Sequence, residues 1–591
     1  MILGKTMKTK TAIIYSLFAV IASCKTAQIE DSGIRYLSKA DYDPSRVVKY
    51  PVAGRLDEIC VLPKHFPGGD YSKGDLEDEK ELCSYDFRAS NYAICPKVSS
   101  TNPALEVFSL PAGVDKKAYE SKCVRGNTGA KKLAKYKMSV TCSYTGSILS
   151  YYHMSRILGM NNVPPAVIRT FDLLDHKKFV SRGIQHSNNA GNSFVAGNWN
   201  ELSGYLAKED KWLLTEDRQQ TFGALSVNPR GETRHQNINV GSYSSFMRKP
   251  RVKAIFNPAP VSEVLTNSFF SSIGIRASSS NWEFTKAVYG INSMRDISSM
   301  ILLDTIMGQQ DRLGNIHTRD YYYFKKDDGS ISRKRSKKIS NPSTLSSVHS
   351  SIPVPRMILK DNDCGIRKGK SNVFKHHGTL SQITHMSPDT YKRFMWLSKN
   401  WSSIQRFLKL ETTMATSNFW GENTSIVEQN LKHAKSILYN NCKSGKLILD
   451  LDVSAHLDGT NTPEKSRAMC DEVYDPSGNV VETKKDGEGE DTSSGNEAPV
   501  PTVEPIPEAP VEPRAETPVV VKPIGFKVQI CVVKLHGAKS LTVWKSKLPF
   551  KNAVRDLFEG DEIEVLDDAD NIFRIKDGYV HRAYTENCRA K

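Results

Sequence analysis

The chain has 591 residues, room for several domains, and its 39% hydrophobic and 25% charged content is ordinary for a globular protein. The formal net charge is +16, yet Lys and Arg are scattered and accompany no zinc-finger, RRM or helix-turn-helix pattern, so nucleic acid is not an expected partner. A basic surface of this kind favours nucleotides, acidic substrates or anionic envelope polymers.

Lys8 and Lys10 precede the apolar run Ala12 to Ile21, which is too short to span a membrane as a mature helix and reads as an export signal. The run closes on Ile21-Ala22-Ser23-Cys24. Small residues before a cysteine there resemble a bacterial lipobox, which would make Cys24 the lipidated first residue of an outer-membrane lipoprotein, since Lys25 and not Asp follows. Ordinary cleavage near Ala27 is the alternative and gives a periplasmic or secreted chain. The ten other cysteines suit disulfides in an exported protein, and with no C-x-x-C spacing they do not suggest zinc. Residues 25–100 are polar and turn-rich, an N-terminal extension pinned through Cys60, Cys83 and Cys95.

From there the pattern sharpens. Ala104 to Leu110 reads as a strand, and Leu133 to Val140 as a second that carries Lys135 and Lys137 on one face. Ser147 to Gly159 has apolar residues at helical spacing (Ile148, Tyr152, Leu158) and closes on a glycine cap. Val163 to Arg169 leads into another strand. The stretch from Thr170 to Asn292 is mixed polar and aromatic, and its His186 and His235 lack metal-ligand spacing. Ile297 to Met307 is helix-like and runs into the loop Asp311-Arg312-Leu313-Gly314-Asn315. Asp320 to Phe324 is strand-like, Asp327-Asp328-Gly329 marks a turn, and the basic run Ser332 to Lys338 is a solvated loop or a lure for an acidic substrate. Met357-Ile358-Leu359 is strand-like and ends in Asp361-Asn362-Asp363-Cys364-Gly365. Tyr391 to Leu410 and Ser425 to Leu438 read as helices.

Two acidic loops beside apolar runs are what phosphoryl transfer needs: one carboxylate orients the acceptor hydroxyl, while an Asn and a second Asp hold divalent ions against the phosphates. A bare D-R-x-x-N is more often a surface turn; the second loop behind it favours the chemical reading. Gln310 to Ile316 and Leu359 to Ile366 resemble the F-D-R-L-x-x-N and L-D-N-E-x-G-L signatures of the secretory-pathway kinases typified by four-jointed and the Golgi casein kinase. Tyr152 to Pro165 resembles that family's F-x-L-D-R-I-L-G-x-x-R-V-P-P segment. The resemblance implies an α+β, two-lobed protein-kinase-like domain over residues 101–445. It also implies ATP with Mg²⁺ or Mn²⁺, and transfer of the γ-phosphoryl group to a hydroxyl of a protein or glycan acceptor. Asp311 would be the catalytic carboxylate, Asn315 and Asp361 metal ligands, and Lys137 or Lys135 the phosphate-binding lysine. Arg312 would brace the loop. A generic D-x-G reading puts the metal on Asp363 instead. The chain departs from the family in two places. Asn315 sits one residue nearer its Asp, and Thr141 to Gly159 contains no Glu or Asp to pair the strand lysine, so Glu106 substitutes or the pair is missing. The alternative is therefore a catalytically inactive kinase-fold lipoprotein that binds in the envelope.

Residues 446–524 are polar, then acidic and Pro-rich, the composition of a disordered linker. Residues 525–591 alternate short strands with Gly-Asp turns, and Leu541 to Ser546, Gly560 to Val565 and Gly578-Tyr579-Val580 resemble a bacterial SH3 domain. That implies a small all-β barrel binding a cell-wall peptide or an envelope protein, with Cys531 and Cys588 expected to bridge.

Overall fold

The computed structural model of the chain describes residues 42–476, apart from 124–128, 141, 210–211, 230, 236–237, 277–280, 337–350, 367–371 and 415–418, together with the strands between 529 and 590. The signal segment with Cys24, and the linker between 477 and 524, lie outside the described residues. The chain divides into two units after Gly487.

The first half of the leading unit is built from β1 (Val47–Tyr50), β2 (Glu58–Val61), α1 (Lys73–Leu82), β3 (Tyr92–Pro96), β4 (Ala104–Ser109), β5 (Lys131–Lys137), α2 (Thr145–Ile157), β6 (Ala166–Asp172), α3 (Leu173–Asn189), α4 (Ser193–Ala207) and β7 (Gln220–Val227). The strands form one sheet in the order β1-β2-β6-β7-β5-β4-β3. The extension expected over 25–100 thus supplies three strands of that sheet, including both edges. Its strands are too short to show a period, but Ile59, Val61 and Ile94 are buried in them, and disulfides Cys60–Cys83 and Cys95–Cys123 fasten them. Helices α3 and α4 cover one face, packing Val180, Val195 and Trp199 against Tyr136, Val167 and Phe171. Helix α2 covers the other, with Ile148 and Leu149 against Ile168, Phe222 and Ala224. The elements α3, α4 and β7 come from the stretch after Thr170 that shows no clear period.

The second half begins with β8 (Thr233–Arg234), then α5 (Asn292–Met307), β9 (Ile316–Lys325), β10 (Ile331–Arg335), β11 (Ile352–Leu359), α6 (Pro388–Lys399), α7 (Trp401–Thr412) and α8 (Phe419–Lys443). The small sheet runs β10-β9-β11, with β8 beside β9. Every residue of α5 except Arg295 is buried, as befits the central helix of a core. It ends at Gly308 (φ 68°), a left-handed cap that turns the chain into the Asp311 loop. The helix expected over Tyr391 to Leu410 is two, broken at Asn400. The expected linker boundary near 446 falls inside folded chain: Leu447, Leu449 and Leu451 join the core, and Cys442–Cys470 closes over it. Among the described residues no helix is long and apolar enough to cross a membrane.

The second unit is described as seven strands: β12 (Gln529–Val533), β13 (Leu541–Trp544), β14 (Ala553–Leu557), β15 (Glu562–Ala569), β16 (Ile572–Ile575), β17 (Gly578–His581) and β18 (Thr585–Ala590). They pair in the order β14-β13-β17-β16-β15-β12-β18. Strands β16 and β17 pair antiparallel, with Ile575 opposite Gly578. Strands β12 and β18 pair antiparallel, so Cys531 and Cys588 lie on neighbouring strands, beside the register irregularity between Ile530 and Val532.

Candidate functional site

The site forms where β5 faces the loop after β11. A strand directs residues two apart to the same face, and β5 thereby presents Lys135 and Lys137 together. Lys135 Nζ donates to Asp361 Oδ1 at 2.5 Å. Lys137 Nζ bridges both acids of the loop, at 3.2 Å from Asp361 Oδ1 and 2.6 Å from Asp363 Oδ2. Asn102 Nδ2 donates to the same Asp363 oxygen at 3.1 Å.

The backbone around the two acids is held from three sides. The Tyr144 amide donates to Asp363 O at 2.9 Å, and Ser147 Oγ donates to Asn362 O at 2.6 Å, both at the start of α2. The Cys142–Cys364 disulfide joins the same two segments. From the Asp311 loop, Gln310 N reaches Cys364 O at 3.4 Å, and Ile366 N reaches Met307 O at 2.7 Å. Gly365 has no room for a side chain: a Cβ there would lie 2.7 Å from Ser147 Oγ and 2.8 Å from Tyr151 Cε2. Asp361 itself is left-handed (φ 49°, ψ 53°), a conformation that non-glycine residues adopt at a cost and that clusters at functional sites.

Arg312 ties the two loops together from below. It is fully buried and grips Asp304 with Nε at 2.7 Å and Nη2 at 2.9 Å. It also donates to Lys360 O at 2.7 Å and to Asn362 Oδ1 at 2.6 Å. Asp304 accepts a further bond from Tyr151 at 2.8 Å. The arginine of the D-R pair is a structural brace, buried away from any ligand.

The electrostatics follow from this packing. Burial would raise the carboxyls of Asp361 and Asp363, but the nearby ammoniums of Lys135 and Lys137 hold both below the usual range. Burial would lower Lys137, but Asp363 and Asp361 outweigh it and hold the ammonium above its ordinary value. Lys135 is pulled down to about 7, first by burial and then by the neighbouring Lys137 and Lys97, against the opposing Asp361. Asp311 is exposed at the surface, and its carboxyl is pushed up by partial desolvation and by the charges of Asp363 and Asp361.

A cavity of about 390 Å³ opens beside these groups, lined among others by Lys97, Lys132, Lys135, Asn315, Lys360 and Asp361. Of the two β5 lysines, Lys135 faces this cavity and Lys137 lies behind it between the carboxylates. Asn315 lines the cavity too, but its amide turns to Asp311, at 3.0 Å from the backbone oxygen and 3.4 Å from Oδ2. Glu106, weighed as a substitute for the missing helix acid, pairs with Lys132 at 3.2 Å. Lys97, Asn102 and Cys142 were not legible as site residues: they belong to no motif, and only the fold brings them to the acidic loop.

Among the described residues no three His, Cys, Asp or Glu side chains gather into a metal cluster. The donor types nonetheless fit Mg²⁺ or Mn²⁺, since Asp361, Asp363 and Asn315 offer hard oxygens. Asp361 and Asp363 already converge on one cation, the Lys137 ammonium.

No family model matches the chain, and no curated protein matches its sequence. Among solved structures the chain is similar to the Golgi casein kinase, at 11% identity over 63% of this chain and 77% of that one, with a TM-score of 0.32. It is similar to hydra Fam20 with sugar, at 12% identity over 64% and 93%, with a TM-score of 0.33. A Golgi casein kinase structure with Mn/ADP bound gives 10% identity over 74% and 90%, with a TM-score of 0.33. Scores of this size carry no argument, and the functional reading rests on the side chains above.

Proposed function

We propose that this chain is an exported, metal-dependent phosphotransferase of kinase-like fold that moves the γ-phosphoryl group of ATP to a hydroxyl of a protein or glycan acceptor. One observation carries the reading. Two strand lysines and two loop carboxylates meet beside a cation-lined cavity, and Arg312 ties the loop of Asp311 to the same carboxylate loop. Phosphoryl transfer is mostly positioning and charge stabilisation, and these are the groups it requires. Lys135, with Lys97 near it and Lys132 and Lys360 paired to Glu106 and Glu232 on the same wall, would receive phosphates, and Lys137 would keep the acidic loop in register. Asp361 and Asp363, with Asn315, would hold Mg²⁺ or Mn²⁺, whose charge neutralises phosphate oxygens. Asp311, pushed up by partial desolvation and its acidic neighbours, is suited to take a proton from an acceptor hydroxyl. Export is supported by four disulfides, which persist in oxidising compartments. The lipid anchor on Cys24 and the SH3-like unit as an envelope-binding module belong to the same proposal.

A second reading has its own support. Helix α2 offers no acid to the β5 lysines, and Lys137 is engaged by both loop carboxylates, the arrangement expected of a binding protein on an inactive kinase fold. Thermal unfolding with ATP and Mn²⁺ or Mg²⁺, beside an Asp361→Ala variant, separates the two. Ligand at a hundred times its dissociation constant stabilises by about 2.7 kcal/mol. A metal-dependent shift that the variant loses supports the transferase; no shift with any nucleotide leaves the binding protein.

A further inference from the structure

Beside the candidate site lies a larger cavity of about 550 Å³, which shares with it a wall of Val163, Pro164 and Val227. Six cationic side chains line this second cavity, Arg156, Arg319, Arg333, Lys334, Arg335 and Arg356, against two carboxylates, Asp75 and Asp78. Register is the cause. Pairing of β9 with β11 sets Arg319 directly opposite Arg356, and pairing of β9 with β10 sets Tyr321 opposite Arg335 and Tyr323 opposite Arg333. Directly opposed residues share a face of the sheet, and like charges so placed repel. One face of this small sheet therefore carries a ladder of guanidiniums that needs anions.

The protein supplies only some of them. Arg156 pairs with Asp75 at 2.7 Å, and Arg356 grips Asp296 at 2.6 and 2.9 Å. Arg335 is only loosely matched, 3.9 Å from Asp78. Arg319 and Arg333 form no ion pair with a carboxylate among the described residues, and Arg319 Nε is buried without a hydrogen-bond partner. Arg333 lies 5.1 Å over the Tyr321 ring. Burial would raise the Tyr321 hydroxyl, yet the charges of Arg319, Arg333 and Arg335, together with a hydrogen bond from Arg319, bring it below its ordinary value. The connection after β10, residues 337–350, contains no Asp or Glu in its sequence.

We propose that this cavity binds the tetrahedral anion of a phosphate or sulfate ester through the guanidiniums of Arg319, Arg333 and Arg335. Planar guanidinium forks match such oxyanions bidentately, and a space of this size is typical of small-ligand sites. The shared wall makes the anchored molecule the natural acceptor for the neighbouring cavity, a clause that rests on the transfer reading above; the anion site itself does not.

Calorimetric titration of the full chain tests it, with inorganic phosphate, inorganic sulfate and glucose 6-phosphate as probes, glucose as the neutral control and no nucleotide present. Binding of either anion is expected, with glucose silent. Arg319→Gln and Arg333→Gln should each weaken it about tenfold or more, the loss of a hydrogen bond to a charged group. Arg335→Gln, on a side chain that is partly exposed, should do the same if Arg319→Gln fails to fold. Saturating ATP with Mn²⁺ should leave the anion bound. Binding of phosphate alone names a phosphate ester, and of sulfate alone a sulfate ester, both in support. Absence of binding, equal affinity in all three variants, displacement by ATP, or binding only of a long polyanion such as polyglutamate overturns the assignment.

Discussion

Replacing Arg312 by Met should damage stability and ligand response separately, and the structure says by how much. Arg312 and Asp304 are both fully buried, and the guanidinium holds the carboxylate through two bonds of 2.7 and 2.9 Å. Removing one partner of such a pair leaves an uncompensated charge in the core, a cost of about 3–5 kcal/mol. Adding Asp304→Asn removes that charge and leaves an imperfectly bonded amide, which costs about 1–3 kcal/mol. The double variant should therefore recover about 2 kcal/mol of the loss. Its response to nucleotide should not recover, because the new amide cannot replace the bonds from Arg312 to Lys360 O and Asn362 Oδ1 that set the height of the acidic loop. Urea unfolding followed by tryptophan fluorescence measures the first effect, and the ATP-dependent melting shift measures the second. A single variant that costs less than about 1 kcal/mol, or a double variant with a restored nucleotide shift, would refute the bracing role.

Acid should destabilise the fold through buried neutral histidines. Burial lowers His153 and His176 to about 3 and His235 to about 4, so between there and 6.5 the unfolded chain binds more protons. Their stabilising contribution is full above pH 6.5 and is lost as pH falls; at pH 5 each should cost about 2 kcal/mol, and His153→Gln should flatten the measured slope. Gly365→Ala should destabilise by about 1–3 kcal/mol, because its methyl meets Ser147 and Tyr151, and denaturant midpoints will read it. The paired change Cys142→Ser and Cys364→Ser opens a loop spanning 222 residues, worth about 5 kcal/mol by chain entropy. It should also abolish the nucleotide shift, whereas Cys442→Ser with Cys470→Ser should keep it.

The parts legible in the sequence were those written locally. The spacing of Lys135 and Lys137 already placed them on one strand face, and the Gly closing α2 and the Asp328-Gly329 turn were visible as chemistry. The two acidic motifs lie on loops that Arg312 brings together. What stayed hidden was non-local. Strands as short as β1 to β3 show no period, and their membership of the large sheet depends on partners far along the chain. Helices α3 and α4 bury a stripe that mixed composition masks. Asn102 and Lys97 become neighbours of the acidic loop only through strand order. The cationic ladder on β9 to β11 looked like a solvated basic run because register, which the sequence does not spell out, decides which arginines share a face.

The Cys142–Cys364 bond bears on when the protein is finished. It fastens the start of α2 to the loop of Asp361 and Asp363, and such a bond does not persist in a reducing cytosol. On the export reading, the chain is made where nucleotide is abundant with this fastening open, and acquires it only after departure. On that same reading, the cell that synthesises the protein would be shielded from it, and the site would mature outside the cytosol. The proposed activity would then wait on the route the chain travels as much as on its substrate.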